Sequence, residues 1–269
     1  KREQVTPVLA LYDAPVSPKL EAHFAQPPRE EELRVEPISN ATLGLNFAAE
    51  LAELPLTVIS GQEWIAAAKG QTVMVLLVNG SICQIEPLHR TVGWKPGWSA
   101  GDMVRLGREH FFFHDITQSM PPTGDKGPHY SKSTAHEQLR PRQPGENVYL
   151  VVTARHTFRV HSFAGWADTV LAHRSPEERA ISAVQLHEIL LPEGLGMPAT
   201  VLCDEEVTYT HDTDEAIARV SNGDADVAFL MNAPSVEQIV AVARTGGSVP
   251  PHTFRPRLAP VPGAITYAL

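Results

Sequence analysis

The run "LTVIS" (Leu56–Ser60) is strand-like and meets a corner, "GQEW" (Gly61–Trp64), that leads into a helix-like "IAAA". Strand, small-residue turn and helix form the outline of a phosphate cradle, in which backbone N–H groups at a helix start hold anionic oxygens. Here the backbone donors of Gly61 and Gln62 would do the holding. Glu63 would oppose an anion unless a cation intervened; as a carboxylate it would serve as general base or Mg2+ ligand. The structural alternative is a tight turn at Gly61, Glu63 in the first turn of a helix and Trp64 packed inside. On these residues alone both readings stay open.

Other stretches also carry chemistry. In "EPLHR" (Glu86–Arg90), His89 and Arg90 end a strand, where sheet proteins place ligand contacts. One reading is a catalytic His89 beside a charge-neutralising Arg90; the other is a buried structural pair, with a carboxylate on Arg90. In "HTFRPRL", Arg255 and Arg257 flank Pro256 and share one face of an extended chain. With the Thr253 hydroxyl they would meet an anion, or else form a solvated, protected edge. His110 and His114 stand four apart, which puts both on one face of a helix or of a strand, so the spacing does not discriminate. No third ligand follows at metal-site spacing, and no metal is expected there. His156 and His161 fall on opposite faces of a strand. A Gly-x-Ser-x-Gly elbow and a Gly-x-Gly-x-x-Gly fingerprint are both missing, which argues against an elbow hydrolase and a Rossmann dinucleotide site.

Short alternating elements must position these groups. "VTPVLALYD" reads as a buried strand, and Asn40–Leu54 has helical spacing weakened by Gly44. Two apolar runs about Asn79-Gly80 predict a two-residue hairpin. "GREHFFFHDI" suits a strand or a helix. Residues 120–146 read as a long loop, of the kind that serves as a lid. "NVYLVVTARHTFRVHSF" predicts two strands tightly joined near Ala154-Arg155. Ser175, Pro176 and Glu178 start a helix with agreeing signals. Residues 207–247 read strand, helix, strand, helix, with a capping box at Ser235 and Gln238 and a stop at Gly246-Gly247. The fold class expected is α+β with mixed sheets.

The chain has 269 residues, 43% of them hydrophobic, enough for a sizeable core. A formal net charge of −9 argues against broad nucleic-acid or membrane binding. Two cysteines, Cys83 and Cys203, form no disulfide framework or metal spacing, and a reducing cytoplasm is expected. No apolar run approaches the ~18 residues of a membrane span. The chain opens at Lys1 and enters a strand within a few residues, so an upstream segment is expected.

Taken in order, "LALYD", "PLTVISGQEWIAAA", "VMVLLVN", "IEPLHRTV" and "YTHDTDEAIARVSNGDADVAFLMNAPSVEQIVAVARTGGSVPPHTFRPRL" resemble a prokaryotic family known as domain of unknown function one-thousand-and-fifteen. Its corner motif, Asp-Gly-His-His-Arg, is similar to that of the ParB/sulfiredoxin-like group, whose members bind nucleotide phosphates and include free-serine kinases. Here the corner keeps only Gly61; Ser60, Gln62, Glu63 and Trp64 replace the rest. Pro87, His89 and Arg90 match a second motif. Pro250 and Pro251 match a closing motif in which His252 replaces a Lys and Thr253 a Ser-Thr pair. The resemblance implies a ParB/sulfiredoxin-like strand–turn–helix part at 1–95, a strand-rich middle at 96–165 and a C-terminal α/β part at 166–269. It also implies a small-molecule ligand, ATP or ADP with Mg2+, in a pocket of residues 59–64, His89-Arg90 and Arg255–Arg257. Two outcomes follow: a divergent, non-catalytic ligand-binding protein, or a kinase acting on a small hydroxylated metabolite such as serine.

Overall fold

The computed structural model describes residues 2–4, 8–12, 38–39, 44–45, 56–60, 75–79, 84–93, 97–119, 132–192, 207–250, 252–257 and 266–268. The chain divides into two compact units, Lys1–Gln84 with Pro256–Leu269, and Ile85–Arg255. The corner Gly61, Gln62, Glu63 and Trp64 lies outside the described residues.

In the first unit, β1 (Arg2–Gln4) pairs antiparallel with the strand Thr266–Ala268. β2 (Val8–Tyr12) follows, and β3 (Ile38–Ser39) and β4 (Gly44–Leu45) make a short antiparallel ladder. The helix expected over Asn40–Leu54 is therefore interrupted by a strand at Gly44, a residue that favours no helix interior. β5 (Leu56–Ser60) and β6 (Val75–Asn79) flank β2, β5 antiparallel and β6 parallel. The turn of the hairpin expected about Asn79-Gly80, with the residues that follow it to Cys83, lies outside the described residues. An unbroken apolar run such as Val75–Val78 suits a parallel ladder, whose strands tend to be covered on both faces.

In the second unit, β7 (Ile85–Pro87) runs into β8 (His89–Val92). Helix α1 (Ala100–Gly107) opens on a Ser99–Asp102 capping box and leads to β9 (Phe112–Asp115). His110 precedes that strand, so it does not share a strand face with His114. The long loop expected at 120–146 contains helix α2 (Lys132–Gln138), with Ala135 and Leu139 buried one helical turn apart. Their spacing is masked in sequence by flanking Pro, Gly and Lys. β10 (Glu146–Thr153) and β11 (Thr157–Phe163) form the expected antiparallel pair. After α3 (Ala164–Ala167), the helix expected from Ser175 breaks into α4 (Pro176–Arg179), α5 (Ser182–Gln185) and a π-helical turn, Leu186–Leu190. The break falls at Ile181, which is extended (φ −82°, ψ 120°) and buried in the core. β12 (Val207–Thr210), α6 (Thr213–Asn222), β13 (Val227–Met231) and α7 (Val236–Arg244) follow as expected, and β14 (Phe254–Pro256) pairs with β7.

The six-stranded antiparallel sheet has the order β12-β8-β13-β10-β11-β9. β8, β13 and β10 are buried at every position, so each is covered on both faces. One face packs Tyr149, Val151, Phe229 and Met231 against Met103, Phe111 and the 181–191 segment. The other packs Val148, Leu150 and Leu230 against Ala135, Leu139, Ala216, Ile217 and Val220. Strand alternation sorts these side chains, and it also sorts His89 and Arg90.

Candidate anion-binding site

Arg90 is the largest fully buried side chain among the described residues. Its Nε donates to His187 Nε2 at 3.1 Å and its Nη2 to the His252 carbonyl at 2.9 Å. Nη1 donates to the Leu88 carbonyl and to Met231 Sδ, the latter at 2.8 Å. The guanidinium carbon stands 5.4 Å from the centre of the Tyr209 ring, a cation–π approach. Among the described residues no carboxylate pairs with it. Burial pulls its pKa down to about 10, against the opposing influence of Tyr209 and Tyr149, so it still carries its charge at neutral pH. Among the described residues its partners are all neutral, so none of them offsets the desolvation of the charge with a counter-charge.

Unusual backbone surrounds it. His187 sits in the π-helical turn, whose wider winding is often found at functional sites. Burial, then the nearby Arg90 and His252, push the His187 pKa down to about 3. The ring is therefore neutral and its Nε2 lone pair is free to accept from Arg90. His252 is the sole non-glycine residue among those described with positive φ, at 56°. Such a conformation costs a β-carbon-bearing residue about 1–2 kcal/mol. Two contacts hold it there: the Arg90 bond to its carbonyl and its ring against Tyr209, 4.4 Å between centroids. Thr253, 4% exposed, donates to the Pro250 carbonyl at 2.6 Å, so its hydroxyl closes the same turn.

The outer edge of this arrangement carries one guanidinium, Arg255, and two imidazoles. His252, His211 and Arg255 are exposed, and Arg255 Nη1 lies 3.1 Å from His211 Nδ1. The nearby acids are already engaged. Asp212 caps α6 through the Asp214 N–H, and Glu215 accepts from Thr210 and Arg219. Arg90 thus reaches His252 from the buried side, and Arg255 stands at the surface beside His211.

His89 points the other way. Its Nδ1 accepts from the Met231 N–H at 3.3 Å, which leaves the proton on Nε2, 3.0 Å from Thr213 Oγ1. It is fully buried and anchors the start of α6 to the sheet. Consecutive strand residues face opposite sides, so His89 and Arg90 do not converge on one ligand. Arg257 is exposed and belongs to the first unit, where its Nη1 donates to Gln84 Oε1 at 2.7 Å. Gly61, Gln62 and Glu63 lie outside the described residues. Of the residues singled out in sequence, the structure therefore groups Arg90, Thr253 and Arg255. It adds His187, Tyr209, His211, Met231 and His252. Of these five His252 alone stands in a motif noted in the sequence, the closing one, and His187 is hidden in a helical apolar pattern. Among the described residues no group of three or more His, Cys, Asp or Glu side chains is placed to hold a metal.

No family model matches the chain, and no curated protein does. Among solved structures it is similar to a conserved hypothetical protein from Pyrococcus furiosus, at 10% identity over 99% of this chain and 81% of the other, with a TM-score of 0.48. It is similar also to a free serine kinase in complex with AMP, at 12% identity over 95% of this chain and 89% of the other, with a TM-score of 0.46. Among the described residues no helix is long and apolar enough to cross a membrane.

Proposed function

We propose that the chain binds a small anionic ligand, of the nucleotide-phosphate class, at the rim formed by His252, His211 and Arg255 above Arg90. The observation that carries this is the buried Arg90 charge, which meets no carboxylate among the described residues. In a low-dielectric interior its field is weakly screened and reaches the nearest exposed groups. An anion seated at His252 would supply the counter-charge that Arg90 does not meet among the described residues. Strained backbone at His252 and the π-helical turn at His187 fit a site held ready rather than one relaxed for stability alone. The nucleotide is the ligand class implied by the sequence resemblance to the ParB/sulfiredoxin-like group, and the Arg255 guanidinium with imidazole donors beside it suits phosphate oxygens.

Binding is the function these residues support. A phosphotransferase would add a base or Mg2+ ligand, for which Glu63 is the sequence-based choice, and a hydroxylated acceptor such as serine. His89, buried between Thr213 and Met231, is a positioning residue in this reading.

Calorimetric titration of the full chain with inorganic phosphate, ADP and ATP, with and without Mg2+, tests the proposal. Saturable binding that weakens with added salt and is lost in Arg255→Glu is expected. Absence of binding to all three anions would overturn it. Incubation with ATP and serine, followed by assay for phosphoserine, separates binding alone from phosphotransfer.

A further inference from the structure

Between α1 and the start of β11 lies an open groove of about 370 Å³. Val104 and Phe158 line it with apolar surface, and the His156 ring stacks on Phe158 with centroids 5.7 Å apart and 22° between planes. Its polar lining is two arginines, Arg105 and Arg108, and the His156 imidazole. Two adjacent acids, Asp102 and Asp115, are engaged. Asp102 accepts from Ser99 and from Arg105 Nη2 at 3.2 Å, and Asp115 accepts from the Thr117 N–H and hydroxyl. Asp115 also stands 3.5 Å from His156 Nδ1. Arg108 pairs with no carboxylate among the described residues.

The groove also has an unexpected glycine. Gly101 lies in the first turn of α1, where glycine is a poor helix former. Its φ is not positive, and a β-carbon there would meet nothing nearer than Ser99 Oγ at 3.6 Å. The helix therefore has room for alanine, and a longer side chain at this position would take up groove space. Bare backbone beside an aromatic wall is what a flat ligand needs for close approach.

We propose that this groove binds a small organic anion with a flat apolar body. Its ring lies against Val104, Phe158 and the Gly101 backbone, and its carboxylate or phosphate meets Arg108 and His156. The size and the apolar lining with a few convergent polar groups are those of small-molecule sites, and the charge is complementary to an anion. This inference stands apart from the Arg90 site and shares no residue with it.

The test is a titration of the isotope-labelled full chain with 2-naphthoate, followed by amide shifts, with neutral 2-naphthol as control. Saturable shifts centred on residues 100–108 and 156–158 are expected, with 2-naphthol binding at least tenfold more weakly. Gly101→Leu should abolish these shifts, and Arg108→Glu should weaken naphthoate at least tenfold while leaving 2-naphthol unchanged. No saturable shift in the wild-type chain would overturn the proposal, as would equal affinity for the two probes. If Gly101→Leu fails to fold, Arg108→Glu decides: unchanged naphthoate affinity there overturns the proposal.

Discussion

Two arginines lie inside the same sheet with nearly matching partners. Arg159 on β11 donates to the carbonyls of Gln138 and Arg140, at 3.2 and 3.4 Å, and lies 3.4 Å from His161 Nδ1. Arg90 on β8 also reads two carbonyls and one imidazole. The difference is the fourth partner. Arg159 Nη2 meets Glu146 Oε1 at 3.0 Å, with both side chains 3% exposed, whereas Arg90 meets the sulfur of Met231. Glu146 is in turn held by the Arg142 and Gln143 N–H groups; these and Arg159 offset the upward push of burial and keep its carboxyl below the ordinary range. The Arg159 cluster is thus closed: charge, counter-charge and backbone are all satisfied, and it ties the 138–143 turn to the sheet. Among the described residues the Arg90 cluster is closed in hydrogen bonds and open in charge. A fold that needed only a pin at β8 would gain from a carboxylate there, as it has at β11.

Substitutions at the two arginines sharpen this contrast most. Arg159→Met leaves Glu146 as a buried carboxylate without its cation, and a loss of about 3–5 kcal/mol is expected in guanidinium unfolding. Arg90→Met strands an imidazole and two carbonyls but also removes an uncompensated charge, so a smaller loss, about 1–3 kcal/mol, is expected, together with loss of phosphate binding. Equal losses at the two positions would break the contrast.

Acid comes next. His187 has a folded pKa of about 3 against 6.5 for the free side chain, so between these values the unfolded chain binds more protons. Stability at the Arg90 cluster therefore falls as pH drops from about 6.5 towards 3. At Glu178, the Ser248, Ser175 and Arg174 donors outweigh burial and hold the carboxyl at about 2 against 4.5, so its contribution is lost lower, as pH falls from 4.5 through 2. Urea midpoints measured from pH 7 down to pH 3 should decline from the start, and His187→Phe should flatten the upper part of that decline. The smallest effect on stability is expected for His252→Gly. Relief of the left-handed backbone and loss of the Tyr209 contact offset each other to within about 1 kcal/mol, while phosphate affinity falls about tenfold. Affinity unchanged in this variant would remove His252 from the site.

Much of the second unit was legible in the sequence because its local signals agree with its packing. The capping boxes at Ser175 and Ser235 form as read, and so do the β10–β11 pair and the strand–helix–strand–helix run after Val207. Elements set by distant partners were not legible. β6 takes β2, a partner distant in sequence, and Gly44–Leu45 follows Ile38–Ser39 into a strand. At the site, Arg90 was visible as a cation at a strand end. His252 was visible only as a changed position of the closing motif, 162 residues away, and His187, 97 residues away, was not visible at all. Strand alternation would have separated His89 from Arg90 had both faces of β8 been known to be covered.

The most direct test gives Arg90 the partner that Arg159 already has. Met231→Glu places a carboxylate beside the guanidinium, and Met231→Gln places a neutral group of the same shape there. Calorimetric titration of both variants and the wild-type chain with phosphate and ADP should show binding by the wild type and the Gln variant, and none by the Glu variant. Equal binding by the Glu variant, or no binding by the wild-type chain, would contradict the account.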